Sequence, residues 1–433
     1  MNMAAQDFDS TLRDQAEQVL GLMRAQGFDQ AQVSVGWHRQ SELNVAHDEP
    51  SLMRSTEQSR VSLLGLLDGR RASTELSSLD EASLRNGVAE LYAAARAAPR
   101  DEANTVSAGQ HARVVQGPQE ADPVLLADTM AELLAFRSRE TPRFTLEEGA
   151  TAHHLSQSHT LTTSGSDLAS RAGWLSLSAF GTAREGDRAS SFNYAGGDAH
   201  DWAGQSAEAW FGIGEMMRDT SQQIDTQRFS AKFVGEVVFT PNAVDDLLGW
   251  LLGQLGDAQL IAGSSLYRDQ VGQAIASPLL GLTSRFAAPG VVPLSADAFN
   301  TPSVSVLNEG RLQTLLPSLY GSRKTGLAHV PTTSGWEVAA GTTPRTELVG
   351  QVERGAIVGR LSMGMPAANG DFSGVIKNSF RIDGGVVGPA LSEVMISGNI
   401  ARMLKEILAV SRERLDTGST VLPWLRIGGL HFS

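Results

Sequence analysis

Four stretches of this sequence gather side chains able to do chemistry. The run His153-His154-Leu155-Ser156-Gln157-Ser158-His159 is the densest in histidine. Imidazoles can hold a transition metal when they converge with a third or fourth ligand. On a regular strand, however, His153 and His159 share one face but stand roughly 20 Å apart, and His154 points the other way. The expectation is polar strand and turn residues rather than a metal site. His47-Asp48-Glu49 lies before Pro50 and reads as a solvated turn. Arg323 and Lys324 are adjacent cations that can grip the carboxylate end of a peptide. They can equally close a helix C-terminus or face water, which is the commoner use. In Asn369-Gly370-Asp371-Phe372-Ser373-Gly374 the glycines permit close backbone approach, and Asp371 and Ser373 can receive peptide groups. The same residues also suit a tight turn anchored by Phe372, and both readings stand.

Other chemistry is excluded outright. The chain has no cysteine, so thiolate nucleophiles, disulfides and Cys-ligated metals are out. No lysine follows a glycine, which removes a P-loop, and no Gly-x-Ser-x-Gly elbow occurs. Gly212-Ile213-Gly214 is half of a dinucleotide fingerprint, but Met217 takes the third glycine position. Close helix packing explains those glycines better. With 35 basic against 48 acidic residues the net charge is −13, which opposes binding to nucleic acid. The N-terminal stretch is polar and no apolar run approaches a membrane span, so the expected location is cytoplasmic, with no membrane partner.

These groups must be positioned by a chain of 433 residues, 41% hydrophobic, long enough for two or three domains. Periodicity predicts a helix over 10–26, alternating strands around Val33–Trp37 and Leu43–Val45, and a hairpin at Asp68-Gly69. Ser78-Leu79-Asp80-Glu81 reads as a capping box opening a helix through Ala95. Residues 100–122 read as a connector. A helix around Leu125–Leu134, strand text from Phe144 to Ala183 broken at Ser164-Gly165-Ser166, and a helix near 203–224 complete the first half.

The second half opens on TPNAVDDLLGWLLGQL. Thr240 is placed to cap this helix, Pro241 suits its first turn, and Leu247, Leu248, Leu251 and Leu255 bury one side. Short strands follow at Ser303–Asn308, Ile357–Met363, Val375–Ile382 and Val394–Ile396. A helix over Ile400–Val410 and a strand near Trp424–Ile427 end the chain. Helices and strands come in blocks, which predicts an α+β fold: residues 1–228 as a helix-and-sheet domain and 229–433 as a β-rich domain.

Longer patterns carry a resemblance. They are GSSLYRDQVGQAIASPLL (263–280), LNEGRLQTLLPSLYGSRKTG (307–326), NGDFSGVIKNSFRIDGG (369–385) and EVMISGNIARMLKEI (393–407). In this order, with VSVGW, LLDGRR and SSLDEASL in the first half, the chain resembles the TldD/PmbA family. The resemblance implies a two-part system. A TldD-type zinc metallopeptidase carries His-Glu-x-x-x-His on a helix of the second half, with a cysteine ligand near the C-terminus. A TldE/PmbA-type subunit shares the fold without those ligands, and together they act on unfolded peptides. Zinc needs three protein ligands and a Glu to take a proton from its water. This chain has no His-Glu dipeptide and no cysteine, and its matching helix offers Asp245, Asp246, Leu247 and Gly249. Adjacent Asp residues point about 100° apart and make no site alone. The resemblance therefore implies a non-catalytic subunit with no catalytic or metal-ligating residue. Its zinc would lie in a TldD-like partner, and its contacts to peptide would come from Asn369, Asp371, Phe372, Ser373, Arg323 and Lys324. Ala298–Pro302 lacks the family's acidic glycine turn, and Asp383-Gly384-Gly385 has an extra glycine, so the chain is a divergent member. The rivals are a self-sufficient hydrolase using the His153–His159 region and a homodimeric peptide-binding module.

Overall fold

The computed structural model describes residues 3–433. Two sheets dominate it. The first has eight strands and is built from two long hairpins, Gln30–Ala46 with Glu49–Leu67 and Phe144–Thr162 with Asp167–Glu185. Strand 30–46 pairs antiparallel with 144–162, joining the hairpins into one surface. His47 and Asp48 both have positive φ, 50° and 69°, as a two-residue hairpin turn requires. That turn is not simply solvated: the Asp48 carboxylate accepts from Leu146 N at 2.8 Å and pairs with Arg137 at 2.6 Å. Asp68-Gly69 makes the second such turn, as expected.

Four helices cover one face of this sheet: α1 (Met3–Gln26), α2 (Glu81–Ala97), α3 (Pro123–Glu140) and α4 (Ile213–Gln222). Val33, Val35, Val61 and Leu63 pack under Ala16, Val19, Met23, Leu84, Val88 and Leu91. Farther along, Leu146, Leu177 and Ala179 meet Met130, Leu133, Phe136, Ile213 and Met217. The cap of α2 is Asp80, which accepts from Ser83 N, rather than Ser78. The 100–122 connector contributes a strand, His111–Gln116, parallel to 167–172.

The second sheet has fourteen strands. Its trunk is Thr420–Phe432, which pairs with 233–239, 335–338, 395–399 and 407–416. Against it lies α5 (Pro241–Leu255), burying Val244, Leu247, Leu248, Leu251 and Leu255 in the largest core cluster. Four short helices follow: α6 (Asp257–Ala262), α7 (Leu319–Thr325), α8 (Arg345–Gly350) and α9 (Ile400–Lys405). Thr240 occupies the cap position of α5, but its hydroxyl donates to the Gly359 carbonyl at 3.0 Å and leaves the helix amides alone. The packing of α5 is the dominant local term. Leu251, fully buried, should cost about 2–5 kcal/mol as Leu251→Ala. Gly249, with open space where a Cβ would stand, should gain roughly 0.5–1 kcal/mol as Gly249→Ala. Chemical denaturation of both variants checks the pair, and equal stabilities would contradict this placement.

Candidate functional site, an acid-lined cleft between the two sheets

The histidine run does not assemble. His153 and His159 face the helices, and His154 faces the opposite side of the sheet. His153 Nε2 lies 2.9 Å from the Pro118 carbonyl, and His159 Nε2 lies 2.8 Å from Asp167. His154 stacks on His38 and on Trp174, at 5.4 and 5.0 Å between centroids, and bonds Ser176. Burial, then the neighbouring His38, pushes His154 down to about 4. Among the described residues, no three His, Asp or Glu side chains gather as metal ligands.

Arg323 and Lys324 end α7 and serve the junction of the two sheets. Lys324 Nζ sits 3.0 Å from Asp101, which also accepts from Tyr320 Oη at 2.8 Å. Arg323 donates to the Glu102 carbonyl at 3.0 Å. Asn369 and Asp371 bond each other at the head of strand Asp371–Lys377. Asn399 Nδ2 donates to Asp371 at 2.9 Å, and these amides hold the Asp371 carboxyl below its usual value. Phe372 is buried in the second core, and Ser373 is exposed opposite Ser397. The local turn is thus well built, and Asn369, Asp371 and Ser373 of it are exposed. Its neighbour is α5: Trp250 Nε1 donates to Ala367 O at 3.1 Å, and Gln254 Nε2 to Ala368 O at 3.0 Å. Gln254 Oε1 also accepts from Leu266 N at 3.0 Å. Loop backbone therefore covers the Trp250 and Gln254 side of α5, while Asn242, Asp245, Asp246, Gly249 and Gly253 stay exposed.

A different place concentrates perturbed charge. At the first turn of α5 two hollows of about 260 and 360 Å³ adjoin, sharing Pro241, Asn242 and Leu415. The first also receives Glu215 and Asp219 from α4, Arg345 from α8, Asn378 and Trp424. The second receives Tyr194, Asp245, Asp246, Arg360 and Thr420. Burial, then the Glu215 charge, pushes Asp219 up to about 7, with Arg345 and Arg218 offsetting only part. Burial, then Asp245, pushes Asp246 up to about 6, and burial raises Asp245. Asp198, in a neighbouring hollow at the same junction, is raised by burial to about 6. Arg345 donates to both carboxylate oxygens of Glu215, and its guanidinium lies 4.5 Å from the Trp424 ring centroid. Such clustering of shifted groups in a cleft marks a functional-site candidate. A larger hollow, about 960 Å³, lies on the first sheet among Ser34, His38, Ser156 and Ser158, but its charges pair off as Arg39–Glu57 and Arg60–Glu75.

The comparisons with known proteins fit this architecture. Residues 233–433 match the model described as PmbA/TldA metallopeptidase C-terminal domain. The metalloprotease PmbA of Escherichia coli O157:H7 is 24% identical over 232 residues, 51% of each chain. A PmbA homologue of Haemophilus influenzae is 24% identical over 220 residues, 48% of each. The crystal structure of TldE from Thermococcus kodakarensis superposes with a TM-score of 0.82 at 17% identity, covering 97% of this chain and all of that one. These matches support membership of the TldD/PmbA family. The structure of a candidate modulator of DNA gyrase from Bacteroides thetaiotaomicron gives the same TM-score at 19% identity, covering 97% of this chain and 98% of that one. The matches span about half the length of the curated PmbA relatives.

Asp245 and Asp246 stand out in the sequence, but nothing there marks Asp219, Glu215, Arg345, Arg360, Asn378 or Trp424 as site residues. They come from segments up to 209 residues apart (215 to 424) and carry no shared spacing. A carboxyl raised on folding stabilises the fold fully below its unfolded value and loses that contribution as pH rises through its folded value. Asp219→Asn, which imitates the protonated form, should therefore raise the melting temperature at pH 8 and leave it nearly unchanged at pH 4. Melting curves at the two pH values check this; equal shifts at both would contradict the buried-carboxyl assignment.

Proposed function

We propose that this chain is a non-catalytic TldE/PmbA-like subunit of a TldD/TldE-type metallopeptidase complex. It shapes a chamber for unfolded peptides, and a TldD-like partner supplies the zinc and the base. The observation that carries this reading is α5. The helix holds no His or Glu, and its Trp250 and Gln254 are bonded to the backbone of loop 364–370. Hydrolysis of a peptide bond by a zinc-bound water needs ligands and a proton acceptor that this helix does not offer.

In this reading Asp371 and Ser373 are exposed groups of the 369–373 turn and can meet a peptide main chain. Asn369 positions Asp371, and Phe372 anchors the strand. A peptide carboxylate could reach Lys324 only by displacing Asp101, so Arg323 and Lys324 act chiefly at the junction.

Mixing the purified chain with a cognate homologue that carries His-Glu-x-x-x-His tests the proposal. The expected result is a hetero-oligomer on size-exclusion chromatography and zinc-dependent cleavage of an unfolded peptide that neither chain achieves alone. Separate elution with no gain in cleavage would refute it.

A further inference from the structure

The cleft at the first turn of α5 has the chemistry of an amine site. In its two hollows four carboxylates, Glu215, Asp219, Asp245 and Asp246, face two guanidiniums, Arg345 and Arg360. Arg345 is already spent on Glu215, and its backbone N–H donates to Glu413. Arg360 lies 4.3 Å from the Phe192 ring centroid. The excess is acidic, and the partner that it lacks is a cation.

A second and independent observation narrows the ligand. Asn378 is 6% exposed and Trp424 9% exposed, and both line the hollow that holds Asp219. Asn378 Oδ1 and Trp424 Nε1 have no hydrogen-bond partner among the described residues. Leaving a buried donor and a buried acceptor unmet is costly unless something supplies them. The donor is an indole N–H, which suits a carbonyl oxygen. The acceptor is an amide oxygen, which suits an N–H. Asn378 is held in this pose by unusual backbone, with φ of 51°, and its Nδ2 reaches the Phe192 carbonyl at 3.4 Å.

We propose that this hollow binds the free α-ammonium end of a peptide, with the ammonium at Asp219 and Glu215 and the first amide between Trp424 and Asn378. A primary ammonium, a carbonyl and an N–H occur together at a peptide N-terminus. A lysine side chain brings the same ammonium on an apolar stem and would leave Trp424 and Asn378 unmet. The inference deepens the peptide-chamber reading and rests on it for the biological ligand, but binding is a property of this chain alone. The groups facing Asp219 are Glu215 and Arg218 on its own helix and Arg345 on α8. Glu413 lies beyond, against Arg345. Arrival of an ammonium draws Asp219 toward its ionised form, so binding near pH 7 releases a proton.

Isothermal titration of the isolated full chain with glycyl-glycinamide, in buffers of differing ionisation heat, tests the inference. N-acetylated glycyl-glycinamide and Nα-acetyl-lysinamide serve as the comparison ligands. The expected result is that the free N-terminus binds at least about tenfold tighter than either comparison ligand, with proton release at pH 7. Affinity should fall as pH drops below the Asp219 value. Asp219→Asn should abolish the proton release and weaken binding about tenfold, and Trp424→Phe should weaken it severalfold while retaining the proton release. Equal binding of free and acetylated dipeptides, equal binding of the lysine amine, or no binding at millimolar concentration would each overturn it. Any of these would leave complex formation with the zinc-bearing homologue untouched, so the two readings fail separately.

Discussion

One guanidinium ties the two sheets together. Arg345 stands at the start of a six-residue helix in the second half, lies over Trp424 of the trunk strand and meets Glu215 of α4 in the first half. An arginine can do this because its flat face stacks while its edge forks onto a carboxylate. The consequence lies next door. Asp219, one turn further along α4, shares the neighbourhood of that cation, but Glu215 already holds it. The carboxyl is left in a poorly hydrated hollow with too little positive charge, and its affinity for a proton rises accordingly. Burial is the larger cause at Asp219, and this uneven division of charge adds to it.

Other contacts keep the cleft from collapsing or opening. Asp101 receives Tyr320 and Lys324 from α7, and the backbone N–H of Ala103 with those two partners holds its carboxyl down to about 2. Loop 287–300 reaches back to the first sheet, where Gln116 donates to the carbonyls of Ala288 and Val291 and Gln32 to that of Ala296. Gln223, at the end of α4, donates to Ser379 O, and Asn378 to Phe192 O. Most of these bonds run from a side chain to a backbone carbonyl. They fix the relative position of the halves without needing a large apolar interface between them.

Much of the fold was legible because its signals are local. The apolar stripe of α5, the Asp68-Gly69 turn and the paired runs around Ser164–Ser166 each lie within one element and need no tertiary knowledge. The errors arose where distant backbone decides. Ile357–Met363 and Val375–Ile382 read as single strands, but each is broken, at Gly359 and at Asn378. A Cβ on Gly359 would come within 2.3 Å of the Asn378 carbonyl oxygen, so the two breaks are one feature seen from both strands. The helix expected over Ile400–Val410 stops at Lys405, because the following residues join the trunk strand. The helix expected near 203–224 shrinks to Ile213–Gln222, preceded by a kink at Phe211 and Gly212. The cleft was invisible for a related reason: its groups come from α4, α5, α8 and several strands, and no spacing within one segment announces them.

The proposed role of a shaping subunit rests on the lack of His and Glu in α5. The most direct measurement is the zinc content of the isolated chain after incubation with excess zinc and gel filtration, read by elemental mass spectrometry. A content far below stoichiometric agrees with a helix that lacks His and Glu. Retention of one zinc per chain, lost on replacing His154 or His159, would contradict the assignment and return the chemistry to this chain itself.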